Sequence, residues 1–208
     1  MTPPVTAIFG GTFDPIHVGH LGMAQAIVDS GAAERIIFMP AHIPPHKQGR
    51  QISPGDVRLA MVNLAIADEP AFATSDWELT RDVVSYTWHT ASHFVDELGD
   101  SLRLIIGMDS LVDLPSWYRA DELAERFHFI VYRRPDSPPP PAAILEQAFG
   151  KVSAQRLLES IVDGPTFPVS STEIRRRCAA GESVDSLLPP AVATYVAENR
   201  LYLTTETP

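Results

Sequence analysis

Short apolar runs that favour β-strands alternate with helical patterns along most of this chain, and no other feature constrains its fold as strongly. Residues 5–9 form a β-rich run, residues 18–30 a helical pattern, and residues 35–39 a second β-rich run. A strand, a helix and a strand in this order make a βαβ unit, whose crossover is right-handed. We therefore expect a largely parallel sheet.

The alternation continues through the rest of the chain. The sequence predicts a helix that starts at residues 53–56, with Val57, Met61 and Leu64 as its apolar stripe. Further predicted segments are a strand near 72–74, a helix over 87–98, strands at 102–106 and 127–132, one more strand near 167–169 and a last helix over 190–200. This pattern predicts an α/β fold, a doubly wound, mostly parallel, Rossmann-like sheet of strand order 3-2-1-4-5. We expect a single domain over residues 1–208, with a helical C-terminal portion from about residue 142 packed on it.

Composition excludes several classes of protein. A net charge of −10 disfavours a general nucleic-acid binder, which needs a broad basic surface. No apolar window approaches the roughly eighteen residues of a membrane span, and the first residues lack the pattern of a secretory signal. A single cysteine, Cys178, excludes a disulfide framework and a cysteine-rich zinc site, and it favours a cytoplasmic location. The oligomeric state stays open, a homodimer included.

The densest chemical signal lies between the first strand and the first helix. The segment reads Gly10-Gly11-Thr12-Phe13-Asp14-Pro15-Ile16-His17-Val18-Gly19-His20. Glycines let a ligand approach the backbone, the helix N-terminus offers free N–H groups to an anion, and histidines three residues apart share one side of the first turn. A metal pair and two unrelated structural histidines are the alternatives. The glycine-rich context favours phosphate binding, although the segment is not a P-loop.

A second segment points to the same chemistry. Ser170-Ser171-Thr172-Glu173 has the spacing of a capping box and should open a helix. Hydroxyl groups at a helix start, with Arg175 one turn further on, can cradle a phosphate. Taken alone, the segment is better explained as an ordinary helix cap.

Together the two segments resemble the HxGH nucleotidyltransferase superfamily, through His17-Val18-Gly19-His20 and Ser170 to Arg175. The resemblance implies that His17, His20 and Arg175 are catalytic. It places a further set of residues at ATP, namely Gly10, Gly11, Thr12, Phe13, Gly107, Asp109, Ser171 and Thr172. No protein ligand for a metal is expected, since Mg²⁺ would be held mainly by the ATP phosphates.

Within that superfamily, the chain is most similar to bacterial nicotinate-nucleotide adenylyltransferases over nearly its whole length. The matching segments include Ile43-Pro44-Pro45-His46-Lys47, Glu78-Leu79-x-Arg81, Ser85-Tyr86-Thr87, Ile106 to Leu111, Pro115-Ser116-Trp117-Tyr118 and Arg133-Arg134-Pro135. This resemblance implies a mononucleotide site formed by His46, Lys47, Thr87, Trp117, Tyr118 and Arg134. Asp136 departs from the family, where glycine commonly follows the Arg-Pro pair.

Single residues of this set have simpler explanations when each is taken alone. Trp117 and Tyr118 could be ordinary aromatic residues, Asp109 a helix cap, and His46 with Lys47 part of a surface loop. The place of Asp109, Trp117 and Tyr118 after the fourth strand favours function, because ligands of doubly wound sheets bind at the switch point between the first and fourth strands.

The resemblance implies transfer of the adenylyl group of ATP to nicotinate mononucleotide. The absence of a nucleophile elbow and of a reactive-cysteine setting agrees with this reaction, because the acceptor phosphate is its own nucleophile. Two alternatives remain: a related transferase that acts on nicotinamide mononucleotide or another phosphate acceptor, and a non-catalytic nucleotide sensor. The preference for nicotinate over nicotinamide depends on the resemblance alone.

Overall fold

The computed structural model describes residues 3–43 and 52–203 and contains one parallel sheet with the strand order β3-β2-β1-β4-β5-β6. The strands are β1 Thr6–Gly11, β2 Arg35–Pro40, β3 Phe72–Thr74, β4 Leu102–Gly107, β5 His128–Arg133 and β6 Ile161–Asp163. The predicted order of the first five strands is confirmed, and β6 extends the sheet beyond β5.

Helices connect the strands and cover both faces of the sheet. They are α1 Val18–Asp29, α2 Gly55–Ile66, α3 Thr87–Leu98, α4 Met108–Asp113, α5 Ala120–Arg126, α6 Ala142–Glu159, α7 Ser171–Ala179 and α8 Pro190–Glu198. Within the described ranges, no helix is both long and apolar enough to cross a membrane.

Two hydrophobic cores lie on opposite faces of the sheet, as the alternation of side chains along a strand requires. Ala7 and Phe9 of β1 face one core, which α1, α2, α7 and α8 complete. Ile8 of β1 faces the other core, which α3, α4, α5 and α6 complete. Residues 6–9 of β1 are therefore buried on both faces, which is typical of a central parallel strand.

The strand predicted near residues 167–169 is wrong. The sixth strand is β6, which pairs with β5 and follows α6 after a single residue. Pro168 has no backbone N–H for a ladder, and the apolar side chains on either side of it contact α1 instead. Phe167 lies against Gly22 and Val169 lies against Gly19, each so close that a Cβ on the glycine would clash.

The expected stripe of α2 is also partly wrong. Leu64 is 38% exposed, whereas the face of α2 that meets the core is formed by Arg58, Met61, Val62 and Ile66. The helix is therefore rotated relative to the predicted stripe, and it carries a charged residue on its buried face.

Candidate active site

The loop after β1 leaves open space beside the backbone of Gly10. No heavy atom lies within 4 Å of the position that a Cβ of Gly10 would occupy. At Gly11 the opposite holds, because a Cβ would lie 2.7 Å from the ring of Phe13. Phe13 itself has a φ of 51°, in the left-handed region that non-glycine residues rarely adopt. The chain therefore turns sharply after β1, and the space beside Gly10 is open to a ligand.

His17 and His20 form one unit at the start of α1. Their rings are stacked, with centroids 3.7 Å apart, and Nδ1 of His20 accepts a hydrogen bond of 3.2 Å from the backbone N–H of His17. A Cβ on Gly19 would lie 2.7 Å from Val169 and 3.1 Å from Nδ1 of His17. The glycine between the histidines therefore lets the two rings and residue 169 pack together. The predicted placement of both histidines on one side of the first turn is confirmed.

Burial keeps His17 neutral at physiological pH. Its residue is 7% exposed, and burial lowers the pKa of its imidazole from 6.5 to about 4. Within the described ranges, Nδ1 of this ring is buried and has no hydrogen-bond partner. A neutral imidazole keeps one N–H donor, so His17 can bind an anion without carrying a charge of its own.

The start of α7 packs directly against the loop after β1. The hydroxyl of Ser171 donates to the carbonyl of Pro15 at 2.9 Å, and Nη1 of Arg175 donates to the carbonyl of Asp14 at 2.6 Å. Nη2 of Arg175 also donates to the hydroxyl of Thr172 at 3.3 Å. The structure therefore brings together the two segments that the sequence singled out.

Two local expectations need correction. The first N–H of α1, that of Val18, is not offered to an anion, because it donates to the carbonyl of Leu187 at 3.1 Å. At α7, Ser170 caps the helix by accepting from the backbone N–H of Glu173. The carboxylate of Glu173 does not complete the expected capping box, since it binds the guanidinium groups of Arg176 and Arg177.

Gly107 and Asp109 lie at the C-terminal end of β4, beside the end of β1. Gly107 is the N-cap of α4, and the exposed Asp109 belongs to the first turn of that helix. A Cβ on Gly107 would lie 2.5 Å from Oδ1 of Asp109, so the carboxylate of Asp109 packs directly against this glycine. Both residues stand at the switch point of the sheet, as predicted.

Three predicted mononucleotide residues share one pocket of about 170 Å³. Thr87, Trp117 and Tyr118 line it, together with Ser85, Tyr86, Ser116 and Leu123. Tyr118 is 45% exposed and lies on the ring of Tyr86, with centroids 4.8 Å apart and planes tilted by 30°. Such a pocket can hold a flat aromatic ring among aromatic side chains. Tyr86 belongs to a segment that carried the family resemblance, but it was not predicted to line the site.

A buried carboxyl group supports the wall of this pocket. Glu78 is 8% exposed and accepts a hydrogen bond of 2.5 Å from the hydroxyl of Thr90 in α3. Burial raises the pKa of Glu78, and hydrogen bonds from Thr90 and Ser85 oppose that rise. Ser85 in turn accepts from the backbone N–H of His42 at 2.9 Å. The pocket wall is therefore tied to the segment that follows β2.

Of the other predicted mononucleotide residues, only Arg134 lies within the described residues, and it does not line the pocket. His46 and Lys47 lie outside the described residues. Arg134 is exposed in the turn after β5, where its carbonyl accepts from the N–H of Ser137 at 3.0 Å, and it is not among the residues that line the pocket.

The donors around the loop suit phosphate better than a metal ion. Imidazole, guanidinium and hydroxyl groups face this region, and both carboxylate oxygens of Asp14 already accept hydrogen bonds from Tyr202 and Ser53. Among the residues that the structure describes, no group of three or more His, Cys, Asp or Glu side chains could hold a metal ion.

Comparison with models of known protein families first defines the broad class of protein to which this chain belongs. A family model described as Cytidylyltransferase-like matches residues 8–177, a span that begins in β1 and ends within α7. The matched region therefore contains the loop after β1, both histidines and the residues of α7 that contact this loop.

Individual relatives then define the family. A probable nicotinate-nucleotide adenylyltransferase of Symbiobacterium thermophilum is 42% identical over 198 residues, which cover 95% of this chain and 94% of that protein. The protein of the same name from Rhodopirellula baltica is 35% identical over 196 residues, which cover 94% and 92%. This chain belongs to the nicotinate-nucleotide adenylyltransferase family.

Solved structures share the fold. The nicotinic acid mononucleotide adenylyltransferase of Plasmodium falciparum, complexed with NaAD, superposes with a TM-score of 0.74. The two sequences are 17% identical, and the match covers 97% of this chain and 98% of that one.

Proposed function

We propose that this protein transfers the adenylyl group of ATP to nicotinate mononucleotide, giving nicotinate adenine dinucleotide and pyrophosphate. One observation carries the proposal. The β1 loop and the start of α7 bring imidazole, hydroxyl and guanidinium groups together at the β1–β4 switch point, and the same chain forms a pocket lined by aromatic side chains. Family membership and the dinucleotide bound to the Plasmodium falciparum protein support the same reaction.

The chemistry needs no general base. An oxygen of the mononucleotide phosphate, already ionised at neutral pH, attacks the α-phosphorus of ATP in line with the bond to the β-phosphate. The new P–O bond forms as the bond between the α-phosphorus and the bridging oxygen breaks, and pyrophosphate leaves with that electron pair. The protein must bring two anions together and neutralise the charge that builds up during transfer.

Specific side chains are assigned to these tasks. His17 and His20 donate hydrogen bonds to the ATP phosphates from the start of α1, and Arg175, Ser171 and Thr172 contact the phosphates from the opposite side, at the start of α7. Gly10 supplies the open backbone, Gly11, Thr12 and Phe13 form the turn beside it, and Gly107 and Asp109 lie beside the ATP nucleoside. Mg²⁺ bound to the ATP phosphates would reduce the repulsion between the two substrates.

The ring pocket is assigned to nicotinate. Trp117 provides a flat face for the pyridine ring, and the hydroxyl of Thr87 and the backbone at Tyr118 donate to the ring carboxylate. His46, Lys47 and Arg134 remain candidates for the phosphates. We further propose that the reaction takes place in the cytoplasm, where a chain with a single buried cysteine stays reduced.

Pyrophosphate release with ATP and Mg²⁺ tests the proposal, with nicotinate mononucleotide, nicotinamide mononucleotide and phosphopantetheine compared as acceptors. We expect strong preference for nicotinate mononucleotide. Activity with nicotinamide mononucleotide alone would preserve the mechanism and overturn the ring-site assignment. Inactivity with every acceptor, despite measurable ATP binding, would favour a nucleotide sensor. A nucleotidylated His17 or His20 trapped during turnover would overturn direct transfer.

A further inference from the structure

One arginine on the buried face of α2 reaches the loop after β1. Arg58 is only 2% exposed. Its Nε donates to the carbonyl of Ser53 at 2.9 Å, and its Nη1 donates to the carbonyl of Thr12 at 2.7 Å. Thr12 lies 46 residues earlier in the chain, so the contact joins α2 to the loop that precedes the two histidines.

Asp14 is the second fixed point of that loop. The residue is 2% exposed, and its two carboxylate oxygens accept from the hydroxyl of Tyr202 at 2.6 Å and from the backbone N–H of Ser53 at 3.3 Å. Its backbone carbonyl accepts from Arg175 at 2.6 Å. The negative charge of Asp14 also favours the charged form of Arg58, whose pKa is lowered by burial.

The backbone beyond α8 adopts an uncommon conformation that places Tyr202 beside Asp14. Beyond α8, both Arg200 and Tyr202 have positive φ angles, of 52° and 63°. Non-glycine residues seldom adopt this region, and they do so where the surrounding structure imposes it, often at functional sites. Burial and Asp14 raise the pKa of the Tyr202 hydroxyl, which therefore stays protonated and donates.

We propose that Arg58 and Tyr202 are positioning residues that hold the loop of residues 12–14 in the shape needed for triphosphate binding. The inference rests on the proposed function, since that loop leads directly into His17. Thr12 is fixed from α2, and Asp14 is fixed from α7 and from the segment beyond α8. Neither Arg58 nor Tyr202 needs to touch a substrate, because each acts through the backbone or carboxylate that it holds.

Arg58 combines packing with two directed hydrogen bonds. An apolar side chain of similar volume could fill the same space, but it would leave the carbonyl groups of Ser53 and Thr12 without the donor that Arg58 supplies. Only a guanidinium group can donate to two separate carbonyl groups from this position while keeping a fixed planar geometry. The feature that an apolar residue cannot reproduce is the orientation of the loop.

A pair of tyrosine variants tests this inference. Tyr202→Phe removes the hydroxyl that holds Asp14, while the control Tyr132→Phe removes a similar hydroxyl, which donates to the carbonyl of Pro165 at 2.8 Å. We expect Tyr202→Phe to lower kcat and ATP affinity by about tenfold, with the KM for nicotinate mononucleotide unchanged. The control should lose a comparable amount of thermal stability and keep its kcat.

Arg58 variants extend the test. Arg58→Met should lower kcat on the order of 100-fold, and Arg58→Lys should recover part of that loss, because an ammonium group can still donate to one carbonyl. If both Arg58 variants fail to fold, the comparison of Tyr202→Phe with Tyr132→Phe alone tests the positioning role. Wild-type kcat and ATP affinity in Tyr202→Phe, with only a lower Tm, would overturn the inference.

Calorimetric titration with ATP and Mg²⁺, without an acceptor, separates this inference from the proposed function. Weaker ATP binding in Tyr202→Phe supports the positioning role even if nicotinate mononucleotide is not the acceptor. Absence of pyrophosphate release in the wild-type protein contradicts only the proposed function. Equal ATP binding in the wild type and in Tyr202→Phe contradicts only the positioning role.

Discussion

Acidification should destabilise this protein through His17. The imidazole is buried, with its pKa lowered from 6.5 to about 4, whereas in the unfolded chain it takes up a proton near pH 6.5. Between these two values the unfolded state binds more protons than the folded state. The free energy of unfolding therefore falls as the pH falls from about 6.5 toward about 4, and above that window the group contributes no slope.

The size of the effect follows from the two pKa values. Their difference corresponds to about 3 kcal/mol in total, and about 2 kcal/mol of this is lost between pH 7 and pH 5. A loss of that size is a substantial part of the roughly 5–15 kcal/mol that stabilises a typical domain.

Urea denaturation at pH 7, 6 and 5 can isolate this contribution when wild type is compared with His17→Gln, which has a neutral side chain. Other titrating groups affect both proteins alike and cancel in the comparison. We expect the wild-type protein to lose about 2 kcal/mol more than the variant between pH 7 and pH 5. Equal losses would show that His17 titrates in the folded state as it does in the unfolded chain, which would refute the reasoning from burial.

Three further predictions concern single substitutions in the site. His20→Ala should lower kcat by several powers of ten, roughly 10³-fold, with little change in Tm; near-normal turnover of the purified variant would remove the phosphate role. Trp117→Ala should raise the KM for nicotinate mononucleotide about tenfold or more and leave the Kd for ATP unchanged, whereas equal weakening of both ligands would indicate a packing role. Gly19→Ala should reduce kcat by about 100-fold, because its Cβ would displace Val169 or the ring of His17; a crystal structure of an active variant with both groups unmoved would contradict this.

The fold was predictable because its strands and helices carry local signals that agree with their tertiary roles. The third strand and the helix at Thr87–Leu98 have the predicted bounds, and Gly99 ends that helix with a φ of 52°. Where local signals were weak the prediction failed. Ile161–Asp163 follows the helix at Ala142–Glu159 after a single residue, so no turn signal separates the two elements, whereas residues 167–169 are apolar because they cover glycines on α1.

The site was predictable only in its recognisable motifs. His17, His20 and Arg175 were found through spacing and family resemblance, and the fold places them around one loop. Arg58 and Tyr202 were not assigned a role, because an arginine in a helical pattern normally indicates a solvated face. The pairing of Tyr202 with Asp14 spans 188 residues, and no local pattern encodes a contact at that distance.

The contacts that α7 and Tyr202 make with the loop after β1 also determine when during folding this loop can reach its final shape. They join residues separated by 156, 161 and 188 positions along the chain. Contacts of such long range form late and slowly, because the entropy of closing a large loop is lost before the contacts can stabilise the structure. During synthesis, the β1 loop and both histidines are made early. The hydrogen bond from Tyr202 to Asp14 can form only after residue 202 has been added to the chain. If the β1 loop binds the triphosphate as proposed, a chain that has not yet reached residue 202 should not bind ATP, and ATP binding would report that folding is complete.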